Sequence, residues 1–206
     1  MAGTIRVLVV DDSIVARMLI INGLNAYPGL EVAGYAINAI DAKNKVKQLR
    51  PDVMTLDVQM PGMTGLDFLK TLLPEYPLPV VLVSSLNLGV FDALHAGAVD
   101  FVRKPDRDVS NEAFVRMLAL KIQEASRAKV QRPSAAGISA PPAARLGNSV
   151  AGRFVIGLGA STGGTEATVE VMKRLPEDIP GMVIVQHMPV GFTKMYPLLI
   201  SRTPFS

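Results

Sequence analysis

Short apolar runs and amphipathic stretches alternate through the first 126 residues of the chain. The runs at Ile5–Val10, Glu31–Ala36, Val53–Leu56, Val80–Val83 and Val99–Val102 are rich in β-branched residues. They lack strict apolar-polar alternation, which predicts strands covered on both faces. The stretches Val15–Asn25, Ala39–Leu49, Leu66–Leu72, Val90–Ala96 and Glu112–Ala128 carry apolar positions at helical spacing and predict helices. Five strand-helix units in succession specify an α/β fold, a doubly wound five-stranded parallel sheet.

The pattern changes after residue 126. Residues 127–150 are rich in Ala, Pro, Ser and Gly and read as a flexible linker. Beyond it, a strand starting at Phe154 runs into a glycine-rich turn, a helix over Glu166–Leu175 and a second strand over Met182–Gln186. The organisation expected is therefore a first domain over 1–126, a linker over 127–150 and an incomplete second α/β domain over 151–206. At 206 residues the chain exceeds one ordinary domain and falls short of two.

Composition narrows the chemistry. With 49% hydrophobic residues the chain can build a packed core. The absence of cysteine excludes disulfides and thiolate chemistry, and two histidines cannot form a three-histidine metal site. No apolar stretch is long enough to span a membrane, and the start shows no secretory signal, so a cytoplasmic location without membrane insertion is expected. The net charge of +3 is unevenly placed. Residues 1–126 hold 12 basic against 14 acidic side chains, whereas 127–150 hold 4 basic and none acidic. The basic excess thus belongs to the linker, without interleaved aromatics for base stacking, and nucleic acid is not an expected partner.

In open parallel sheets the functional groups collect beyond the carboxyl ends of the strands. Here those ends carry Asp11, Asp12 and Ser13 after the first strand, Asp57 after the third, Ser84 and Ser85 after the fourth, and Lys104 and Pro105 after the fifth. Three neighbouring carboxylates repel one another, which a bound cation or shifted pKa values must offset, and oxygen donors without Cys or His select a hard ion such as Mg²⁺. That combination suggests phosphoryl chemistry. Asp57 would attack phosphorus, Mg²⁺ and Lys104 would neutralise the transferred group, and Ser84 would bond one of its oxygens.

The segments VLVVDDS over 7–13, TLDVQMPG over 55–62, VSS over 83–85 and FVRKP over 101–105 resemble the response-regulator receiver domain, a flavodoxin-like fold. The resemblance implies that Asp57 accepts phosphate from a histidine kinase and that Asp11 and Asp12 bind Mg²⁺ together with Asp57. Gln59 would add a backbone carbonyl. It also implies that Ser84 and Phe101 shift on phosphorylation, and that the peptide before Pro105 is often cis. His95, near a helix end, reads as a surface histidine rather than a phosphoacceptor.

The turn GLGASTGGT over 157–165 allows two mechanisms. As a dinucleotide fingerprint it has Thr162 where a third glycine belongs, and the next strand ends in Gln186-His187 without a ribose-binding carboxylate. Read from Gly159 it spells G-x-S-x-G, which presents Ser161 on a tight strand-to-helix turn beside amides able to stabilise an oxyanion. His187, after the neighbouring strand, is the available base. Together with QHMPVGFT over 186–193, this turn resembles the catalytic domain of the chemotaxis protein-glutamate methylesterase family, known as CheB.

That second resemblance implies Ser161 as nucleophile, Thr162 as an active-site neighbour and His187 as general base. The implied substrates are methylated chemoreceptors, with glutamine deamidation as a possible companion activity, and the implied phosphodonor is a chemotaxis histidine kinase. The unphosphorylated receiver is expected to cover the active site. The family's triad closes with an aspartate farther downstream, yet residues 188–206 contain neither Asp nor Glu. Glu177 and Asp178 precede the second strand and belong to the wrong sheet edge. Beyond Lys194, Pro197 and Pro204 interrupt helical spacing, so the resemblance is expected to break there, as in a truncated or frame-shifted product. The alternative function is a nonenzymatic phosphoacceptor switch with an inactive catalytic segment.

Overall fold

The computed structural model describes residues 3–85, 96–107, 109–128, 154–161, 164–176 and 179–187. They fall into two compact units, Met1–Ser134 and Ala135–Ser206.

The first unit contains strands β1 (Ile5–Val10), β2 (Leu30–Ala36), β3 (Val53–Asp57), β4 (Val80–Ser84) and β5 (Asp100–Arg103). Its described helices are α1 (Ile14–Asn25), α2 (Ala39–Leu49), α3 (Gly65–Leu72) and α4 (Asn111–Ala125). The strand order is β2-β1-β3-β4-β5, and every neighbouring pair is parallel. The order reverses between β1 and β3, which places a topological switch point at the ends that carry Asp11 and Asp57. The predicted helix over Val90–Ala96 lies outside the described residues, apart from its last residue, which forms part of a turn.

Capping explains the helix starts better than propensity does. Ser13, Asn38, Thr64 and Ser110 each accept a bond from a backbone amide in the first turn of α1, α2, α3 and α4 respectively. The observed helices therefore begin one residue earlier than predicted in three cases, because the cap rather than the first large apolar residue sets the boundary. Helix α4 ends at Ala125 rather than Ala128.

All residues of β3 and β4 are buried, as the unbroken apolar runs predict. One core layer joins Val7, Val9, Val53, Val81 and Val83 to Ile20, Leu24, Phe114, Leu118 and Ile122. Within this layer Lys121, only 2% exposed, reaches Asp100 at 3.0 Å and Glu124 at 3.4 Å. A buried ammonium is tolerated there because carboxylates face it.

The second unit shows β6 (Ile156–Ala160), α5 (Gly164–Met172) and β7 (Met182–Gln186), with β6 and β7 parallel and in continuous register. Helix α5 starts two residues before the predicted Glu166 and ends before Leu175. Val169 and Met172 are its buried apolar residues.

Candidate functional site

Each unit presents one cluster, and in both it follows the carboxyl ends of parallel strands. In the first unit, β1 delivers Asp11 as it ends and hands over directly to the Ser13 cap of α1. The Ser13 amide donates to Asp11 Oδ1 at 2.9 Å. Asp57 is the last residue of β3, and the Gln59 amide donates to its Oδ1 at 3.2 Å. Asp11 and Asp57 are buried, whereas Asp12 and Gln59 are exposed.

Lys104, after β5, spans the two buried acids. Its Nζ donates to Asp57 Oδ2 at 2.7 Å and lies 2.8 Å from Asp11 Oδ2, with the side chain 13% exposed. The Asp11 contact is an ion pair without hydrogen-bond alignment, so this buried oxygen keeps a lone pair unengaged by a directed bond. The Lys104 amide donates to Ser84 O at 2.9 Å, which ties β5 to β4 at this edge. Among the described residues no peptide is cis, so the bond before Pro105 is trans.

The charges tune one another. Burial, the strongest influence, raises the Asp57 pKa above its ordinary value; Lys104 and the Gln59 amide offset part of this, and Asp11 adds to it. Burial alone would lower Lys104, but Asp11 and Asp57 more than compensate, and its pKa is raised.

The carboxylate oxygens of Asp11, Asp12 and Asp57 offer ligand atoms within 4.8 Å of one another. This all-oxygen set, with a buried oxygen not committed to a directed bond and one exposed member, fits a hard divalent cation. Ser84 closes β4 and Phe101 lies in β5, and both are buried.

In the second unit, Ser161 follows β6 and His187 follows β7. The parallel register that pairs Ala160 with Gln186 sets the next residues side by side. Ser161 Oγ lies 3.3 Å from His187 Nδ1. The His187 amide donates to Ala160 O at 2.9 Å, continuing the strand pairing up to the site. Thr162, Glu177, Asp178 and His95 lie outside the described residues.

Two residues in these clusters were not singled out from sequence. Gln186 Nε2 donates to Ser161 O at 3.0 Å and to His187 O at 3.1 Å, clamping both site residues by their main chain. A Cβ on Gly164 would meet Gln186 Oε1 at 2.8 Å and Ala160 Cβ at 2.5 Å, so a glycine here makes room for that amide. Its position beside His187 was the available signal. In the first unit, Arg17 grips the acidic turn; only its four-residue spacing from Ser13 hinted at this.

Comparison with known proteins joins the two clusters. The receiver-domain family model, "Response regulator receiver domain", matches residues 7–114, and the model "CheB methylesterase" matches residues 156–204. A curated relative from Syntrophomonas wolfei, named protein-glutamate methylesterase/protein-glutamine glutaminase 2, is 47% identical over 202 residues, 97% of this chain and 58% of the relative. A second, from Syntrophotalea carbinolica, named protein-glutamate methylesterase/protein-glutamine glutaminase, is 46% identical over 93% of this chain and 57% of the relative. The chain thus spans somewhat more than half the length of these relatives.

Among solved structures, the response regulator domain of Thermotoga maritima CheB is similar, with a TM-score of 0.57 and 36% identity; the alignment covers 61% of this chain and 98% of that one. The signal receiver domain of the Mycobacterium tuberculosis response regulator NarL aligns with a TM-score of 0.51 and 28% identity, covering 59% of this chain and 98% of that one.

One expectation is corrected. The methylesterase match runs to residue 204, so the resemblance does not break at Lys194. With a methylesterase match following it in the second unit and the receiver model covering more than half of its length, this chain belongs to the response-regulator receiver family and is similar to the CheB methylesterases beyond its receiver.

Proposed function

We propose that the chain is the phosphorylation-regulated front portion of a protein-glutamate methylesterase that acts on methylated chemoreceptors in the cytoplasm. The observation that carries the catalytic reading is the 3.3 Å approach of Ser161 Oγ to His187 Nδ1, at adjacent parallel strand ends. The names of the curated relatives support it over a nonenzymatic switch. The relatives' glutaminase name extends the proposal to receptor glutamines.

In the receiver, Asp57 Oδ attacks the phosphorus of a kinase phosphohistidine; the P–N bond breaks as the new P–O bond forms, giving an acyl phosphate. Asp11, Asp12, Asp57 and the Gln59 carbonyl would hold Mg²⁺, which when bound neutralises charge on the phosphoryl oxygens. Lys104 is already poised on Asp57 and can follow the negative charge from carboxylate to phosphoryl oxygen. Ser84, at the end of the neighbouring strand, supplies a hydroxyl for the same group, and Phe101 responds as the switch residue. Raising the Asp57 pKa through burial makes its carboxylate a better nucleophile than an exposed one, while Lys104 offsets part of that rise.

In the second unit, Ser161 Oγ attacks the ester carbonyl while His187 takes its proton. This requires the neutral ring to carry its hydrogen on Nε2, leaving Nδ1 as acceptor. The protonated ring then gives the proton to the departing methoxide, which leaves as methanol, and water hydrolyses the acyl-enzyme by the reverse roles. Thr162 adjoins the nucleophile, and residues 127–150 serve as the linker.

A small-molecule phosphodonor with Mg²⁺ should label the chain stoichiometrically, and Asp57→Asn should abolish the label. Methanol release from methylated receptors should rise on phosphorylation and vanish on Ser161→Ala. Labelling without any methanol release by the chain would support the switch alternative instead.

A further inference from the structure

We propose that Arg17 is a positioning residue of the acidic site, fixing the main chain of Asp11 and Asp12 so that the exposed Asp12 carboxylate faces the shared cation position. The proposal rests on the reading that Asp11, Asp12 and Asp57 hold a divalent cation. It concerns how their geometry is set.

Asp11 needs no further support, since its side chain is fixed by the Ser13 amide and by Lys104. Asp12 is exposed, and its aim depends on the peptide that carries it. Arg17 Nη1 donates to Asp11 O at 2.8 Å and to Asp12 O at 3.4 Å, gripping both carbonyls on either side of that residue's Cα. A single guanidinium nitrogen on consecutive carbonyls restricts rotation about the intervening bonds.

The placement runs against local helix electrostatics. Arg17 lies near the start of α1, its amide bonded to Ser13 O at 2.9 Å, at the end of a helix where cations are disfavoured and where no acidic side chain occupies the first turn. Its compensation comes from outside the helix. The guanidinium carbon sits 5.2 Å from the centroid of the Tyr35 ring, and Lys45 Nζ lies 4.9 Å from the same centroid. Lys45 is in turn anchored to Asp41 at 2.9 Å and to the Tyr35 carbonyl. Tyr35 therefore acts as a backstop held by β2 and α2. The Asp11 amide, bonded to Ala36 O at 3.1 Å, closes the same bracket from the main chain.

The sign of the effect separates positioning from plain charge. Arg17 is a cation beside a cation site, so if it acted only through its charge, removing it would tighten Mg²⁺ binding. If it acts by holding the peptide, removing it loosens Mg²⁺ binding, by about tenfold on the scale of other outer-shell partners.

The test uses the full chain and Mg²⁺ alone, titrated by calorimetry. Arg17→Ala should weaken binding about tenfold. Arg17→Lys, which keeps one donor and the ring contact, should recover part of the loss, and Tyr35→Leu should weaken binding by a smaller factor with Arg17 still present. Unchanged or tighter binding in Arg17→Ala overturns the proposal. A metal-free arm judges it independently: hydrogen exchange at the Ser13 amide, which donates to Asp11 Oδ1, should quicken about tenfold in Arg17→Ala, with exchange in β3 and β4 unaltered. Unaltered exchange at Ser13 also overturns it. Failure of wild-type chain to bind Mg²⁺ overturns the cation reading instead, and leaves the exchange arm to decide on Arg17.

Discussion

At the scale of single residues, Lys104 and Asp57 should have opposite effects on stability. Lys104 neutralises two buried carboxylates that are otherwise repelled by each other and by burial. Replacing it by Met leaves both without a cation and should cost about 3 kcal/mol in a denaturant titration near neutral pH, the scale on which broken buried ion pairs are felt. Because its folded pKa is raised above 10.5, the stability it confers is complete below that value and is lost only as pH rises through the raised one. For Asp57 the sign differs from the usual carboxylate. A folded pKa above 3.8 means that the native state holds the proton more tightly, so stability falls as pH rises from the unfolded value through the raised one. Asp57→Asn should therefore stabilise the chain near neutral pH, on the order of 1 kcal/mol, and the gain should shrink as pH drops below the raised pKa. Thermal midpoints of both variants across pH check this; a Lys104→Met protein as stable as wild type, or an Asp57→Asn protein less stable, would contradict it. The identity of these residues was legible in sequence because each follows a strand at the functional edge. Their coupling was not, since it depends on which oxygen Lys104 reaches.

At the scale of elements, the connection from β3 to α3 governs how Asp57 is presented. A Cβ on Gly65 would lie 2.5 Å from Asp57 O and 3.0 Å from Val58 Cα, both of them main-chain atoms that cannot step aside as a flexible side-chain end would. The Gly65 amide also donates to Val58 O at 2.9 Å, so the chain is folded back tightly on the end of β3. Gly65→Ala should lower stability by about 1–3 kcal/mol, as overpacking does. It should also slow phosphorylation of Asp57 by a small-molecule donor, and normal values for both would show that the turn yields easily. Gly62, with φ +82, is the other residue of this connection that needs glycine, and alanine there would strain the backbone even with open space around it. Strands were read from sequence almost residue for residue, because unbroken β-branched runs such as Val80–Val83 have no other stable burial. The starts of α1, α3 and α4 shifted by one residue because capping by Ser13, Thr64 or Ser110 is decided by a local side-chain bond that hydrophobic spacing does not register. Gly65 escaped notice for a similar reason: its neighbour 2.5 Å away is fixed by the fold, not by the spacing of the motif.

At the scale of the whole molecule, the excess of positive charge and the excess of small residues fall in the same segment, 127–150, between the strand-end cluster of the first unit and that of the second. The two clusters share one architectural principle: polar groups carried beyond the ends of parallel strands, with a turn and a helix following. That common placement explains why both could be found from sequence, through strand-end residues in one case and a glycine-rich turn in the other. Finding Gln186 required knowing that Ala160 and Gln186 pair in register, which brings its amide onto Ser161 and His187 at once. Limited proteolysis with mass analysis tests the division. A trypsin site at Arg127, Lys129 or Arg145 lies in a segment whose Ala, Pro, Ser and Gly content cannot bury a core, so early cleavage should fall there and release two resistant fragments. The upstream fragment should still accept phosphate at Asp57, since Asp11, Asp12, Asp57 and Lys104 all come from it. If the downstream fragment is instead degraded as fast as the linker, residues 151–206 do not hold β6, α5 and β7 together on their own, and the pairing of Ser161 with His187 depends on the remaining length that the curated relatives possess.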